Sequence, residues 1–349
     1  MANDWSIPER RGDPDFDNLL RVLRREKPAR PTLFEFFLND RLYERLAPAA
    51  TLSHAPERQR RYLQFMQAYC RAGYDYTNVL VPGFEFPTGR DFAPRTISLY
   101  SGGMIRDRAS YEAYRWPDPE DAEYDLLDSL GAALPEGMRL IAYGPNGVLE
   151  NVTEICGYEQ LCLLLADDPE LVRGIFDEVG RRLLRFYEVV SSHPHVGACI
   201  ANDDWGFKTQ TALSPRHMRE YVFPWHKRIV DAVHTTGKPV ILHSCGHFER
   251  ILDDINWIGF DGRHSYEDVI LPVEDAYERY RDRFAIIGGI DLDFVCRASP
   301  EEVYARSRAM LERAAPYGGY ALGTGNSVPD YVPDENYFAM IRAGLEMGG

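Results

Sequence analysis

His243 and Cys245, in the segment VILHSCGHFERIL, are the residues of this chain best placed to do chemistry. Residues 238–242 read as a short buried strand, which Gly246 ends. Side chains alternate faces along a strand, so residues two apart leave its end on the same side. An imidazole and a thiol so placed can share a zinc ion, or the imidazole can lower the thiol's pKa. The competing interpretation is a buried cysteine beside a hydrogen-bonded histidine.

The elements that must position this pair alternate along the chain. Residues 15–26, 40–46 and 56–71 carry apolar residues at helical spacing and predict an N-terminal helical layer over 1–72. Residues 76–82 (YTNVLVP) predict a first buried strand, and 96–100 an accessory strand. After a helix over 118–134, strands are predicted at 138–143, 196–201, 238–243, 258–262, 284–289 and 319–322. Helices are predicted between them at 157–166, 168–191, 214–237, 247–255, 272–281 and 299–315, with a last one from Pro333. Asp168-Pro169 supplies an N-cap and a first-turn proline, Ser299-Pro300-Glu301-Glu302 a capping box, and Pro224 a kink in 214–237. Seven strands separated by helices predict an α/β fold: a (β/α)₈ TIM-type barrel over 73–349 with one strand obscured, the helical segment 1–72 belonging to the same domain. A doubly wound sheet is disfavoured, because no G-x-G-x-x-G follows the first strand.

A barrel of this type does its chemistry at the carboxyl ends of its strands. Those ends carry Glu85, Asn146, the run Asn202-Asp203-Asp204, His243 and Cys245, His264, Asp291 and Asn326. Singly, Asp203 or Asp204 can cap a helix, His264 can be a core histidine and Asp291 can fix a turn. Their convergence favours a site, with Asp203, Asp204 and Glu85 beside His243 and Cys245 as the catalytic candidates. Tyr143, Asn146, Asn202, His264, Asp291 and Asn326 are expected to bind substrate. His193, His195 and the run 225–228 read as loop and helix-face residues, and no G-x-S-x-G provides a serine nucleophile.

Composition narrows the partners. The 349 residues are 45% hydrophobic and carry a net charge of −15, which repels nucleic acid and anionic membranes. No apolar run of transmembrane length and no secretory leader pattern occurs, so a cytoplasmic protein is expected. Six scattered cysteines, without a CxxC pair, agree with a reducing compartment. A small-molecule substrate and a homodimer are the default expectations.

Asp203–Gly206 with Leu213–Pro215, His243–Gly246 and Gly288–Asp291 (D-D-W-G with L-S-P, H-S-C-G, G-G-I-D) resemble the uroporphyrinogen decarboxylase superfamily. The likeness, which covers 138–347, is to the branch of cobamide-dependent methyltransferases. That resemblance implies a barrel with an N-terminal helical layer. It also implies zinc held by His243, Cys245 and a later cysteine, and a corrinoid as substrate or as the cofactor of a partner protein. Asn326 stands where the later cysteine is expected; Cys296, Glu85 or Asp203 are candidates to replace it. No D-x-H-x-x-G cobalamin pattern is present, so the corrinoid would be borne elsewhere. The arginine-rich signature of the decarboxylases is missing from ARPTLFEFFLND. The expectation is therefore corrinoid-linked methyl transfer. The alternatives are a cofactor-free decarboxylase of a tetrapyrrole-like polycarboxylate, served by Arg106, Arg108 and Lys208, and a non-catalytic corrinoid- or ligand-binding subunit.

Overall fold

A computed structural model describes residues 5–9, 12–89 and 103–347. Eight strands form one parallel sheet: β1 (Thr32–Leu33), β2 (Tyr76–Leu80), β3 (Arg139–Tyr143), β4 (Val196–Asn202), β5 (Val240–His243), β6 (Gly262–His264), β7 (Ala285–Ile287) and β8 (Tyr320–Leu322). The hydrogen-bonded order is β1-β8-β7-β6-β5-β4-β3-β2, a sheet curled into a barrel with helices around it. Strand interiors are buried on both faces and mostly apolar, with Thr77, Asn78 and Arg263 as buried polar exceptions. The Pro169–Ser192 helix shows how the outer layer is specified. Asp168 accepts from Leu171 N at 3.1 Å, Pro169 fills the first turn, and Val172, Ile175, Phe176, Val179 and Leu183 bury one face.

The strand missing from the sequence pattern is β1, which lies inside the segment expected to be helical. Only two residues long, it pairs Thr32 with Ala321 and Leu33 with Leu322. Side chains seal the seam between β1 and β2. Tyr76 Oη accepts from Glu35 N and donates to Glu35 O, each at 2.7 Å, and Asn78 Nδ2 donates to Glu35 O at 3.2 Å.

Other boundaries move for local reasons. The strand expected at 258–262 is β6, because the Leu252–Ile258 helix continues until Gly259 closes it in a left-handed conformation. Residues 214–237 form a helix interrupted by a π turn at Met218–Val222, just before Pro224 where the sequence predicts a kink. A helix at Val148–Cys156 was not anticipated. The accessory strand expected at 96–100 lies outside the described residues. Among the described residues, no helix is long and apolar enough to cross a membrane.

Tyr76→Phe is expected to leave the buried Glu35 N–H without its partner, while Glu35 O keeps the Asn78 amide. The expected cost is about 1–3 kcal/mol, read from urea unfolding. A loss too small to resolve would mean that the seam does not depend on this hydroxyl.

Candidate metal–thiol site

Parallel pairing sets the site. β4, β5 and β6 end in register, with Asn202 opposite His243 and His243 opposite His264. Register partners on adjacent strands point the same way from chains about 4.8 Å apart, so the two imidazoles meet. Their Nδ1 atoms lie 2.7 Å apart. His264 Nε2 lies 3.4 Å from the carbonyl oxygen of Thr324, which can only accept. That network assigns the His264 proton to Nε2, so His243 Nδ1 donates to His264 Nδ1 and the His243 lone pair is left on Nε2.

The loops after β4 and β5 then deliver a carboxylate and a thiol. A Cβ on Gly246, at φ +92°, would come within 2.4 Å of the Gly206 backbone. Glycine there lets the two motif loops pack directly on each other. His247 N donates to Phe207 O at 2.8 Å, and Cys245 N donates to Asp204 Oδ1 at 2.9 Å. Among the described residues, Asp204, His243 and Cys245 bring one ligand atom each to within 4.8 Å of one another. Ser265 Oγ and Asn326 Nδ2 both donate to Cys245 Sγ, at 3.4 and 3.3 Å.

Electrostatics decide between the two chemistries that the His-x-Cys pair allows. Burial pushes the Cys245 thiol up to about 12, and Asp204 adds to the effect. Burial also depresses His243 to about 4 and His264 well below the ordinary imidazole value. The imidazole is therefore neutral and cannot form an imidazolium–thiolate pair, and the bare thiol stays protonated at pH 7. A cation changes that balance. A dication bound by Cys245 thiolate, Asp204 carboxylate and neutral His243 is charge-compensated, and the S, N, O donor set suits zinc. Ligands on tetrahedral zinc sit roughly 3–4 Å apart, so closing the set requires a small inward side-chain movement.

The surrounding residues hold the set in place. Buried Arg263 donates to Ser265 O at 2.6 Å and to Ser244 O at 3.0 Å, clamping the loops after β5 and β6. Its guanidinium carbon lies 3.8 Å from the Phe248 ring centroid. Phe36 packs on His243 at 4.7 Å between centroids and edge-on to Tyr143 at 5.2 Å.

The other candidates take different places. Asp203 is fully buried behind the mouth. It accepts from Leu149 N and Glu150 N at the start of the Val148–Cys156 helix, from Trp205 Nε1 at 2.9 Å, and bonds His226 Nε2 at 2.7 Å. Gly147 permits that approach, since a Cβ there would stand 2.1 Å from Asp203 Cβ. Asp291 caps the Leu292–Arg297 helix at Phe294 N and also accepts from Asp268 N. Glu85 is exposed. Asn146 holds a left-handed φ of 59° in the turn after β3. Asn202 Oδ1 is buried without a partner beside the His243 row. Arg108 is engaged by Asp168 and Glu170, and Arg106 Nε by Gly103 O.

Three residues escaped the sequence reading. Arg263 lies inside a short strand, and Glu150 opens a helix that was not anticipated. Burial, with Asp203 and Asp204 nearby, pushes the Glu150 carboxyl up to about 8. Glu35, fully buried just past β1, is likewise pushed up to about 8 by burial. A lone carboxylate in the apolar run TLFEFFL was its only sequence signal.

A cleft of about 1020 Å³ adjoins the site at Asn326 and is lined by the loops after β6, β7 and β8. Its charged lining is two cations, Lys208 and Arg297, against five carboxylates: Glu267, Asp268, Asp291, Asp293 and Glu302. Arg297 pairs with Asp293, and Lys208 lies 3.6 Å from Glu267, so among the described residues no free cation lines the cleft.

An eight-stranded parallel barrel carrying a thiol, an imidazole and a carboxylate at its strand ends defines the class of protein. Residues 99–346 match the family model described as uroporphyrinogen decarboxylase (URO-D), and the chain belongs to that family. The uroporphyrinogen decarboxylase of Anaeromyxobacter dehalogenans (strain 2CP-C) is 27% identical over 254 residues, 69% of each chain. The methylated-thiol–coenzyme M methyltransferase of Methanosarcina mazei is 27% identical over 190 residues, 54% of this chain and 48% of that one. A solved methyltransferase structure from Methanosarcina mazei shares the fold with a TM-score of 0.72, covering 96% of this chain and 99% of that one at 14% identity.

The raised Glu35 carboxyl fixes the sign of a pH effect. Below about 4.5 the group is protonated in both folded and unfolded chains. Between that value and about 8 the unfolded chain binds fewer protons, so this contribution to stability falls as pH rises and levels off above 8. Glu35→Gln, neutral throughout, is expected to flatten the loss of stability between pH 5 and 8.5 in urea unfolding, with Glu150 leaving a residual slope. An unchanged slope would show that Glu35 is ionised in the native state.

Proposed function

We propose that this barrel is a methyltransferase whose Asp204, His243 and Cys245 hold a zinc ion. The observation that carries the proposal is the convergence of those three donor atoms within 4.8 Å at the strand ends. Asp204 would supply the third ligand where Asn326 replaces the cysteine that the family resemblance leads one to expect. Three protein ligands leave a position open, as catalytic zinc sites do. When bound, zinc stabilises a substrate thiol as its thiolate at neutral pH.

The chain's own residues do the rest. His264 orients His243, Arg263 fixes the two loops, and the Asn326 and Ser265 donors temper charge on the Cys245 sulfur. The acceptor thiol gives its proton to solvent and its sulfur bonds the methyl carbon. The bond from methyl to donor breaks, leaving its electron pair on the donor. The donor is a methylated small molecule or a corrinoid borne by a separate protein, and the reaction belongs in the cytoplasm.

The decarboxylase reading draws on uroporphyrinogen decarboxylases that match more than two thirds of this chain. Against it stands the cleft, whose excess of carboxylates would repel a polycarboxylate substrate.

The test is metal content of untagged protein purified without chelator. About one zinc per chain is expected in the wild type and none in the His243→Ala/Cys245→Ala double variant. Asp204→Ala is expected to bind zinc more weakly by at least the roughly 10–100-fold that outer-shell losses cost, whereas Asp203→Asn keeps the wild-type stoichiometry. A metal-free wild type would overturn the proposal, and release of CO₂ from uroporphyrinogen by metal-stripped protein would favour decarboxylation.

A further inference from the structure

Glu35 is a fully buried carboxyl that no step above uses. It lies just past β1 and touches none of the three donors, yet its bonds lead to the site. Glu35 Oε1 accepts from Thr324 N at 2.6 Å, and Oε2 lies 2.8 Å from Thr324 Oγ1. Thr324 Oγ1 also lies 2.8 Å from the carbonyl oxygen of Asn326. A hydroxyl has one proton, and a carbonyl oxygen can only accept. Thr324 Oγ1–H therefore goes to Asn326 O, and Oε2 of Glu35 must carry the proton that reaches Thr324 Oγ1. The burial that raises Glu35 to about 8 agrees with a neutral acid at pH 7.

From Thr324 the constraint passes to both sides of the site. The Thr324 carbonyl faces His264 Nε2 at 3.4 Å, and His264 Nδ1 faces His243 Nδ1 at 2.7 Å. Two residues on, Asn326 Nδ2 points at Cys245 Sγ at 3.3 Å. Backbone bonds also tether this loop: Gly289 N donates to Thr324 O at 2.9 Å, and Gly325 N to Ile290 O at 2.7 Å. The loop therefore has support of its own when Glu35 is altered. What Glu35 adds is direction, because it occupies both the N–H and the hydroxyl of Thr324.

We propose that Glu35 is a positioning residue that, through Thr324, fixes which nitrogens of the His264–His243 pair carry protons and aims Asn326 at the Cys245 sulfur. The value of this arrangement rests on the metal-site reading, since it leaves the lone pair of His243 on Nε2. The proton pattern itself requires no metal. Glutamine can reproduce it, with its amide donating to Thr324 Oγ1 and its carbonyl accepting from Thr324 N. Leucine fills the space and can do neither.

The experiment uses full-length, metal-free protein with ¹⁵N-labelled histidine and long-range ¹H–¹⁵N spectra, His264 and His243 being assigned through their glutamine variants. Wild type and Glu35→Gln are expected to show only the Nε2–H form of His264 and the Nδ1–H form of His243. In Glu35→Leu the opposite tautomers are expected to rise above the roughly 0.1–10% of an ordinary minor state. Thr324→Val, which removes only the hydroxyl, is expected to behave like Glu35→Leu and carries the test if the leucine variant does not fold. A folded Glu35→Leu or Thr324→Val protein with the wild-type pattern would overturn the proposal, as would a wild type with the opposite tautomers. Because no metal is present, failure here is separate from failure of the zinc reading.

Discussion

The site depends on one row of the parallel ladder, in which Asn202, His243 and His264 are register partners across β4, β5 and β6. A slip of one residue in any of these strands would turn its terminal side chain to the opposite face. With the row in place, the imidazoles must share a proton, because two lone pairs cannot face each other at 2.7 Å. Everything nearer the solvent hangs from this row. The thiol lies two residues beyond His243, the Asp204 carboxylate two residues beyond Asn202, and the Arg263 clamp one residue before His264.

The loops complete what the row begins. The H-S-C-G and D-D-W-G segments meet glycine to glycine, and that contact sets Asp204 against the Cys245 amide. Asp203, its neighbour, anchors the same loop from behind by capping the Val148–Cys156 helix and bonding Trp205 and His226. Two adjacent aspartates thus have different roles, one facing the donors and one holding the loop. In a buried setting the thiol and both imidazoles are neutral, so the arrangement favours a cation over a free thiolate.

Much of this was legible in the sequence, for physical reasons. Most strand interiors are apolar and their carboxyl ends polar, so a barrel reading points to His243, Cys245, His264 and Asn326 from the sequence alone. β1 escaped because two residues carry no periodicity, and the run TLFEFFL is apolar enough to pass for either helix or strand. Which of Asp203 and Asp204 faces the donors depends on Gly147, more than fifty residues away, and no local pattern encodes that. Asp291, read from the sequence as a turn or substrate-binding residue, caps the Leu292–Arg297 helix, which the sequence pattern did not show. Glu35 and Arg263 were hidden by their neighbours, since a single charge in an apolar run reveals its partners only once β1 lies beside β8.

The central claim is that sulfur, nitrogen and oxygen from Cys245, His243 and Asp204 surround one metal ion. X-ray absorption at the zinc edge of zinc-loaded protein tests it most directly. One sulfur at about 2.3 Å, with nitrogen and oxygen neighbours at about 2.0–2.2 Å, is the expected shell, and the sulfur should vanish in Cys245→Ser. A shell without sulfur, or one with two sulfurs, would contradict the account.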